Sequence, residues 1–196
     1  VTDLFDAHGE ANTPLSAEER AGLLPTYITT RTELNDAEQA NISDADRWAF
    51  QRERDVLDVI FLRRLHKRMF GKVWAWAGTF SQEVDRRIGL DRHLIEPALY
   101  ALVDDVRYWI QHQSYPTDEI AARFHHALTR IHPFPNGNGR HARLASDLLL
   151  VALEGVPFTW GGTALTTTSA MRDDYVAALR AADAHDLRPL LAFVRA

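Results

Sequence analysis

Residues 132–143 read HPFPNGNGRHAR: a histidine ahead of Pro-Phe-Pro, an asparagine between two glycines, and arginines at 140 and 143. On the upstream side Thr117, Ile120, Phe124 and Leu128 give a helix start and an apolar stripe that runs to Ile131. Pro133 and Pro135 forbid its continuation, because proline lacks the backbone donor and clashes with the preceding turn. Downstream, Leu144, Leu148, Leu149 and Val151 draw a second stripe from about Asn138 to Leu153. The quoted residues are therefore a joint between two helices, and the joint delivers its backbone to a helix amino terminus. Such a terminus carries unpaired N–H groups and a partial positive charge, and glycine lets an anion approach without a Cβ in the way. Arg140 and Arg143 lie on nearby faces of one helical turn and can add charge-assisted hydrogen bonds to phosphate. His132 stands at the entrance, with an ordinary imidazole pKa near ~6.5 that suits a general base. A plain reading competes: an interhelical glycine turn, a solvated arginine pair and a helix-end histidine are each common. The phosphate-loop pattern G-x-x-x-x-G-K-[ST] is not met, since no Lys-Ser or Lys-Thr follows.

Away from the joint, helical spacing persists. Asn35 with Glu38 and Ser43 with Asp46 have the spacing of capping boxes, so helices are expected to begin near both. From Asp46 to Met69 the residues Phe50, Val56, Leu57, Ile60, Leu65 and Met69 draw the apolar face of one long core helix. Further helices are expected over about 92–113, 117–131, 167–183 and 186–195. Between residues 72 and 91 the helical period stops, and Gly78 and Gly89 bracket Thr79, Phe80, Val84 and Ile88. That pattern suits a short β-hairpin or extended flap whose edge could register another chain by strand addition. The fold class is thus mainly α, a helical bundle with a small β-hairpin flap. Trp74, Trp76, Trp109 and Trp160 read as core or nucleobase-pocket walls, and His125 and His126, lacking partners at ligand spacing, as structural. Arg86 and Arg87 read as a solvated turn.

Composition narrows the function classes. The 196 residues are 46% hydrophobic, enough to bury a core. Net charge is -5 and the 22 Lys and Arg are scattered, so a nucleic-acid partner is disfavoured. No run resembles a membrane span or a secretory signal, and there is no cysteine, so a cytoplasmic setting is expected and thiolate metal sites are excluded.

The quoted stretch resembles the signature of Fic/Doc-family Fic domains, H-x-F-x-[D/E]-G-N-G-R-x-x-R. His132, Phe134, Gly137, Asn138, Gly139, Arg140 and Arg143 agree with it, and Asn136 replaces the acidic residue. WAWAGTF resembles the start of the family's flap and YVAALRAADAHDLRPLLAFV its closing helices, so the resemblance spans about 46–196, with residues 1–45 as an N-terminal arm. Together with ELNDAEQANI, the motif is most similar to the subgroup called mobile mystery protein B. The resemblance implies a protein adenylyltransferase moving AMP from ATP to a Tyr, Ser or Thr hydroxyl, with a target protein and an antitoxin as expected partners. His132 would be the base, Phe134 a core anchor, and Gly137, Asn138 and Gly139 the anion hole. Arg140 would support the β-phosphate and Arg143 the γ-phosphate. Asn136 would be a weakened Mg²⁺ ligand, since a neutral amide oxygen lacks the anionic charge this ion prefers. Thr29 and Glu33 in TTRTELN fit the first part of the family's inhibitory pattern [S/T]-x-x-x-E-[G/N], although Leu34 stands where Gly or Asn is expected. Two alternatives accompany this reading: a nucleotide-binding regulator without transfer, because of Asn136, and another phosphate-group transferase of the same fold. The phosphotransferase branch called Doc has Asn-Lys in place of Asn138-Gly139 and lacks the second arginine.

Overall fold

The computed structural model describes residues 21–82, 89–162 and 169–196. Seven helices carry these residues: α1 (Arg31–Phe50), α2 (Val59–Phe70), α3 (Arg92–Gln111), α4 (Thr117–Ile131), α5 (Asn138–Ala152), α6 (Ser169–Asp183) and α7 (Arg188–Val194). Helix α5 packs along α4 and also meets α2 and α1; α1 pairs with α2, α3 lies on α4, and α6 pairs with α7. The main core forms where the first five helices meet. Leu65, Met69, Phe70, Trp74, Ile95, Leu99, Phe124 and Leu128 are buried there, each large apolar side chain adding about 1.5–3 kcal/mol. A smaller core of Leu150, Phe158, Trp160, Ala178, Leu190 and Val194 docks α6 and α7 against α4 and α5.

The helices from α3 onward match their expected ranges within a few residues. The first half differs. Helix α1 begins at Arg31 rather than near 35 or 43, because Thr30 and Glu33 form the working capping box: Glu33 N–H donates to Thr30 Oγ1, and Thr30 N–H donates back to Glu33 Oε2. Ser43 sits inside the helix, its hydroxyl donating to Gln39 O at 2.9 Å.

The single helix expected over 46–69 is two helices. Arg54 Nη2 donates to Trp48 O at 2.7 Å and closes the end of α1, and the Asp58 carboxylate accepts Ile60 N–H at 3.0 Å to open α2. The apolar residues Phe50, Val56, Leu57 and Ile60 keep a helical period across a turn that is not helical.

Residues 22–24 run antiparallel beside 73–75, with Leu24 N–H to Val73 O at 2.9 Å and Ala75 N–H to Gly22 O at 2.8 Å. Thr79, Phe80, Ser81, Gln82, Gly89 and Leu90 take no strand pairing, and Val84 and Ile88 of the expected flap, with Arg86 and Arg87, lie outside the described residues. No described helix is long and apolar enough to cross a membrane.

Candidate active site

The joint between α4 and α5 is built from inside. His132 closes α4 in the left-handed region, φ 53° and ψ 58°, its N–H donating to Leu128 O at 3.0 Å. A non-glycine residue there is uncommon and marks a position that its surroundings over-determine. The conformation turns the chain away from the helix axis, and Phe134, two residues on, lies in the core, fully buried. Asn138 then locks the loop. Its Oδ1 accepts Phe134 N–H at 2.9 Å and its Nδ2 donates to Phe134 O at 2.8 Å. The Asn138 side chain is therefore a loop brace, and only its backbone N–H is left for an anion.

Gly137 has φ +79° and lies against Phe70, whose ring a Cβ would meet at 2.6 Å, so conformation and packing both require glycine. Gly139 differs. Among the described residues, the helix's own backbone aside, a Cβ at that place would meet nothing nearer than Tyr175 Oη at 3.9 Å, and no left-handed φ constrains it. The protein leaves open room over the first turn of α5. The first backbone hydrogen bond of that turn is His141 N–H to Gly137 O at 2.9 Å, so the amides of Asn138, Gly139 and Arg140 precede the helical ladder. Open room over unladdered amides at the positive end of a 15-residue helix has the chemistry of an anion cradle.

The two arginines of this turn meet opposite surroundings. Arg140 Nη1 donates to Glu38 Oε2 at 2.6 Å, and its guanidinium lies over the Phe70 ring at 4.8 Å. Glu38 is 7% exposed in its side chain and also accepts Trp74 Nε1–H at 2.6 Å. Arg143 is half-buried beside the Tyr175 ring, 5.9 Å from its centroid, with no carboxylate at ion-pair distance among the described residues. Burial lowers the pKa of this guanidinium, against the attraction of Tyr175 and Asp147, but arginine keeps its charge. Two of the groups beside it are neutral. Burial pushes the Tyr175 phenol up to about 12 and the His125 imidazole down to about 3. The two meet in a 2.8 Å hydrogen bond, so neither supplies a counter-charge.

His132 Nδ1 lies 3.3 Å from Thr129 O. When Nδ1–H donates to that carbonyl, Nε2 carries the lone pair of a base. The chain on both sides of residues 83–88 is tied to this histidine's neighbours: Ser81 N–H donates to Pro133 O at 2.9 Å and Leu90 N–H to Ile131 O at 3.1 Å.

The family model of the Fic/DOC family matches residues 56–150. Residues 56–150 are a Fic/DOC family domain. A Fido domain-containing protein of Dictyostelium discoideum is 34% identical over 98 residues, 50% of this chain and 64% of that protein. The protein adenylyltransferase fic-1 of Caenorhabditis elegans is 26% identical over 146 residues, 73% of this chain and 27% of that protein. This chain thus spans less than two thirds of either relative. The BepC protein of Bartonella tribocorum, crystallised with bound AMPPNP, superposes with a TM-score of 0.67 at 17% identity, covering 92% of this chain and 97% of that one, and shares the fold.

The Fic loop gathers His132, Phe134, Asn136, Gly137, Asn138, Gly139, Arg140 and Arg143 as the motif spacing predicts, and Phe80 packs on Phe134 with ring centroids 6.0 Å apart. Glu33 is not gathered. Its Oε2 accepts Thr29 N–H at 2.8 Å and Thr30 N–H at 2.9 Å, bonds that hold its pKa below the ordinary carboxylate value. The glutamate that reaches the Fic loop is Glu38, five residues further along α1 and buried. In the sequence Glu38 has the spacing of half a capping box with Asn35; the signal for its burial is its place among Leu34, Asn41 and Ala45 on the buried face of α1. Asn136 offers one neutral oxygen, which accepts Gly137 N–H at 2.5 Å. Among the described residues no group of three or more His, Asp or Glu could hold a metal ion. The donor set does not fit a divalent cation held by the protein.

Proposed function

We propose that this Fic domain is a protein adenylyltransferase. The observation that carries the reading is the Arg143 guanidinium beside the open amide turn at Gly139: a half-buried positive charge with no carboxylate at ion-pair distance among the described residues, next to amides that precede the helical ladder, suits a polyphosphate tail. Its family relative fic-1 bears the name protein adenylyltransferase, which supports AMP as the group moved. The reaction then runs on this chain's own groups. The amides of Asn138 and Gly139 hold phosphate oxygens, and Arg143 holds the far end of the tail, aligning the α-phosphorus. His132 Nε2 takes the proton of a target Tyr, Ser or Thr hydroxyl as that oxygen attacks the α-phosphorus. The bond from the α-phosphorus to the bridging oxygen breaks, and diphosphate leaves with that electron pair. Fixed donors placed where charge develops give the larger share of the acceleration, and the positioned base adds about 10²–10⁴-fold. Mg²⁺ belongs, in this reading, on the nucleotide's own phosphates with Asn136 as at most one weak ligand, and no step is assigned to it.

Restraint of the site fits Glu38 rather than Glu33, since Glu38 binds Arg140 and so withholds one of the two tail-binding charges. The test is incubation of the wild type, Glu38→Gln and His132→Ala with ATP labelled in the α- or the γ-phosphate. Transfer of α-label that His132→Ala abolishes is the expected result. Label from the γ-phosphate would make the domain a phosphotransferase. ATP binding with no label moved by any form would leave a nucleotide-binding regulator, the outcome that the neutral Asn136 favours.

A further inference from the structure

His66 lies in the middle of α2, fully buried, and both of its ring nitrogens are engaged. Gly78 N–H donates to Nδ1 at 3.0 Å, which makes Nδ1 the acceptor and places the ring proton on Nε2; Nε2 then donates to Asn136 O at 3.0 Å. Burial keeps the imidazole well below its ordinary pKa, so this neutral form persists through neutral pH. The ring stacks on Phe134 with centroids 3.7 Å apart. One turn earlier on the same helix face, Arg63 Nε donates to Gly78 O at 3.1 Å. Gly78 is thus gripped at both backbone groups, and it cannot carry a side chain: φ is +79° and a Cβ would meet Arg63 O at 2.8 Å. Gly78 begins the run toward Ser81, whose amide is tied to Pro133 next to the base. Asn136 O belongs to the peptide group that leads into the cradle. The N–H of the same peptide group, that of Gly137, donates to Asn136 Oδ1 at 2.5 Å, so fixing Asn136 O toward α2 sets the plane in which the chain enters the first turn of α5.

We propose that His66, as its Nε2–H tautomer, is a positioning residue that holds the anion loop and the Gly78 root of the neighbouring segment in one register, each through its own nitrogen. The role rests on the adenylyltransferase reading for its purpose, although the two anchors exist without it. Nucleotide and acceptor are held by different stretches of chain, and a single rigid imidazole between them fixes their relative placement, which in-line transfer demands.

Two substitutions separate the nitrogens. Asn places its oxygen near Nδ1 and keeps only the Gly78 bond, whereas Gln places its amide nitrogen near Nε2 and keeps only the Asn136 bond. Amide hydrogen exchange and ATP titration of His66→Asn and His66→Gln read the result. In His66→Asn the Gly78 amide stays protected, Phe134 exchanges faster, and ATP affinity falls by about tenfold or more. In His66→Gln the protection at Gly78 is lost while Phe134 and ATP affinity stay near wild type. His66→Phe keeps the stacked ring, loses both bonds and combines the two phenotypes, which guards against a polar substitution that simply fails to fold. Parallel loss of every signal in both polar variants would mean plain core packing and would overturn the proposal, as would no change in either. If the wild type binds no ATP, the adenylyltransferase reading fails, and the exchange pattern still decides whether His66 holds two anchors.

Discussion

Arg140 and Arg143 stand three residues apart on one helical turn and live in different electrostatic worlds. Arg140 is matched by a buried glutamate that itself is fixed by Trp74. Arg143 has beside it His125 and Tyr175, which burial has made neutral, and it feels Asp147 without an ion pair among the described residues. An arginine with a buried carboxylate is an internal bond; one without is a claim on an external anion. Spacing makes both arginines look alike, and what separates them is a residue on α1, 102 positions from Arg140.

The largest effect should come from Arg143→Ala. Removing the open charge is expected to lower transfer by about 10²–10³-fold, as for loss of a fixed donor at developing charge. Arg140→Ala, whose charge is already taken, should cost less in the wild type. Equal losses in a steady-state assay would erase the distinction between the two arginines.

Gly139→Ala comes next. No described residue crowds the room over Gly139, so the melting temperature should stay near wild type while ATP affinity falls by about tenfold. A drop in melting temperature with unchanged affinity would make that room structural.

Acid should destabilise the fold, because the neutrality around Arg143 depends on buried imidazoles. His125 and His141 are held down to about 3 and about 4, and His66 well below its ordinary value, burial being the first cause for each. Their stabilisation is complete above the unfolded value near ~6.5 and is lost as pH falls through the folded values, each adding a slope of about 1.4 kcal/mol per pH unit. Asp147 works the other way. Burial raises it to about 6, so its contribution is present at low pH and is lost as pH rises toward 6. Three imidazoles outweigh one carboxyl, and the melting temperature should fall between pH 7 and pH 5. A melting temperature that rose over that range would show Asp147 dominating.

The smallest effect belongs to Glu33. Glu33→Gly removes the reciprocal half of the α1 cap and should lower the melting temperature slightly without changing ATP affinity. A gain in ATP affinity would return the restraint to Glu33.

The loop was legible because its signals are local. Two prolines stop α4, glycines flank an asparagine, and leucines restart the stripe of α5, so the helix ends and the cradle could be placed by spacing alone. The break between α1 and α2 was not, because Val56 and Leu57 are buried in the non-helical turn and mimic the helical period, while the residues that make the turn, Arg54 and Asp58, are polar and ordinary in either setting. Glu33 and Glu38 look alike for a related reason: each lies three residues after a possible cap, Thr30 or Asn35, and only the packing of α1 on α2 and α5 shows which one is buried beside an arginine. His66 gave no local signal, since its two partners lie 12 and 70 residues away.

The contrast between the arginines is tested most directly by titrating ATP into four proteins: the wild type, Glu38→Gln, Arg140→Ala and the double variant. Gln at 38 can still accept Trp74 N–H, so it removes the charge and leaves the core bond. Glu38→Gln is expected to bind ATP about tenfold more tightly than the wild type, and this gain to vanish when Arg140 is also replaced. A Glu38→Gln protein that binds no tighter, or a gain that survives without Arg140, would contradict it.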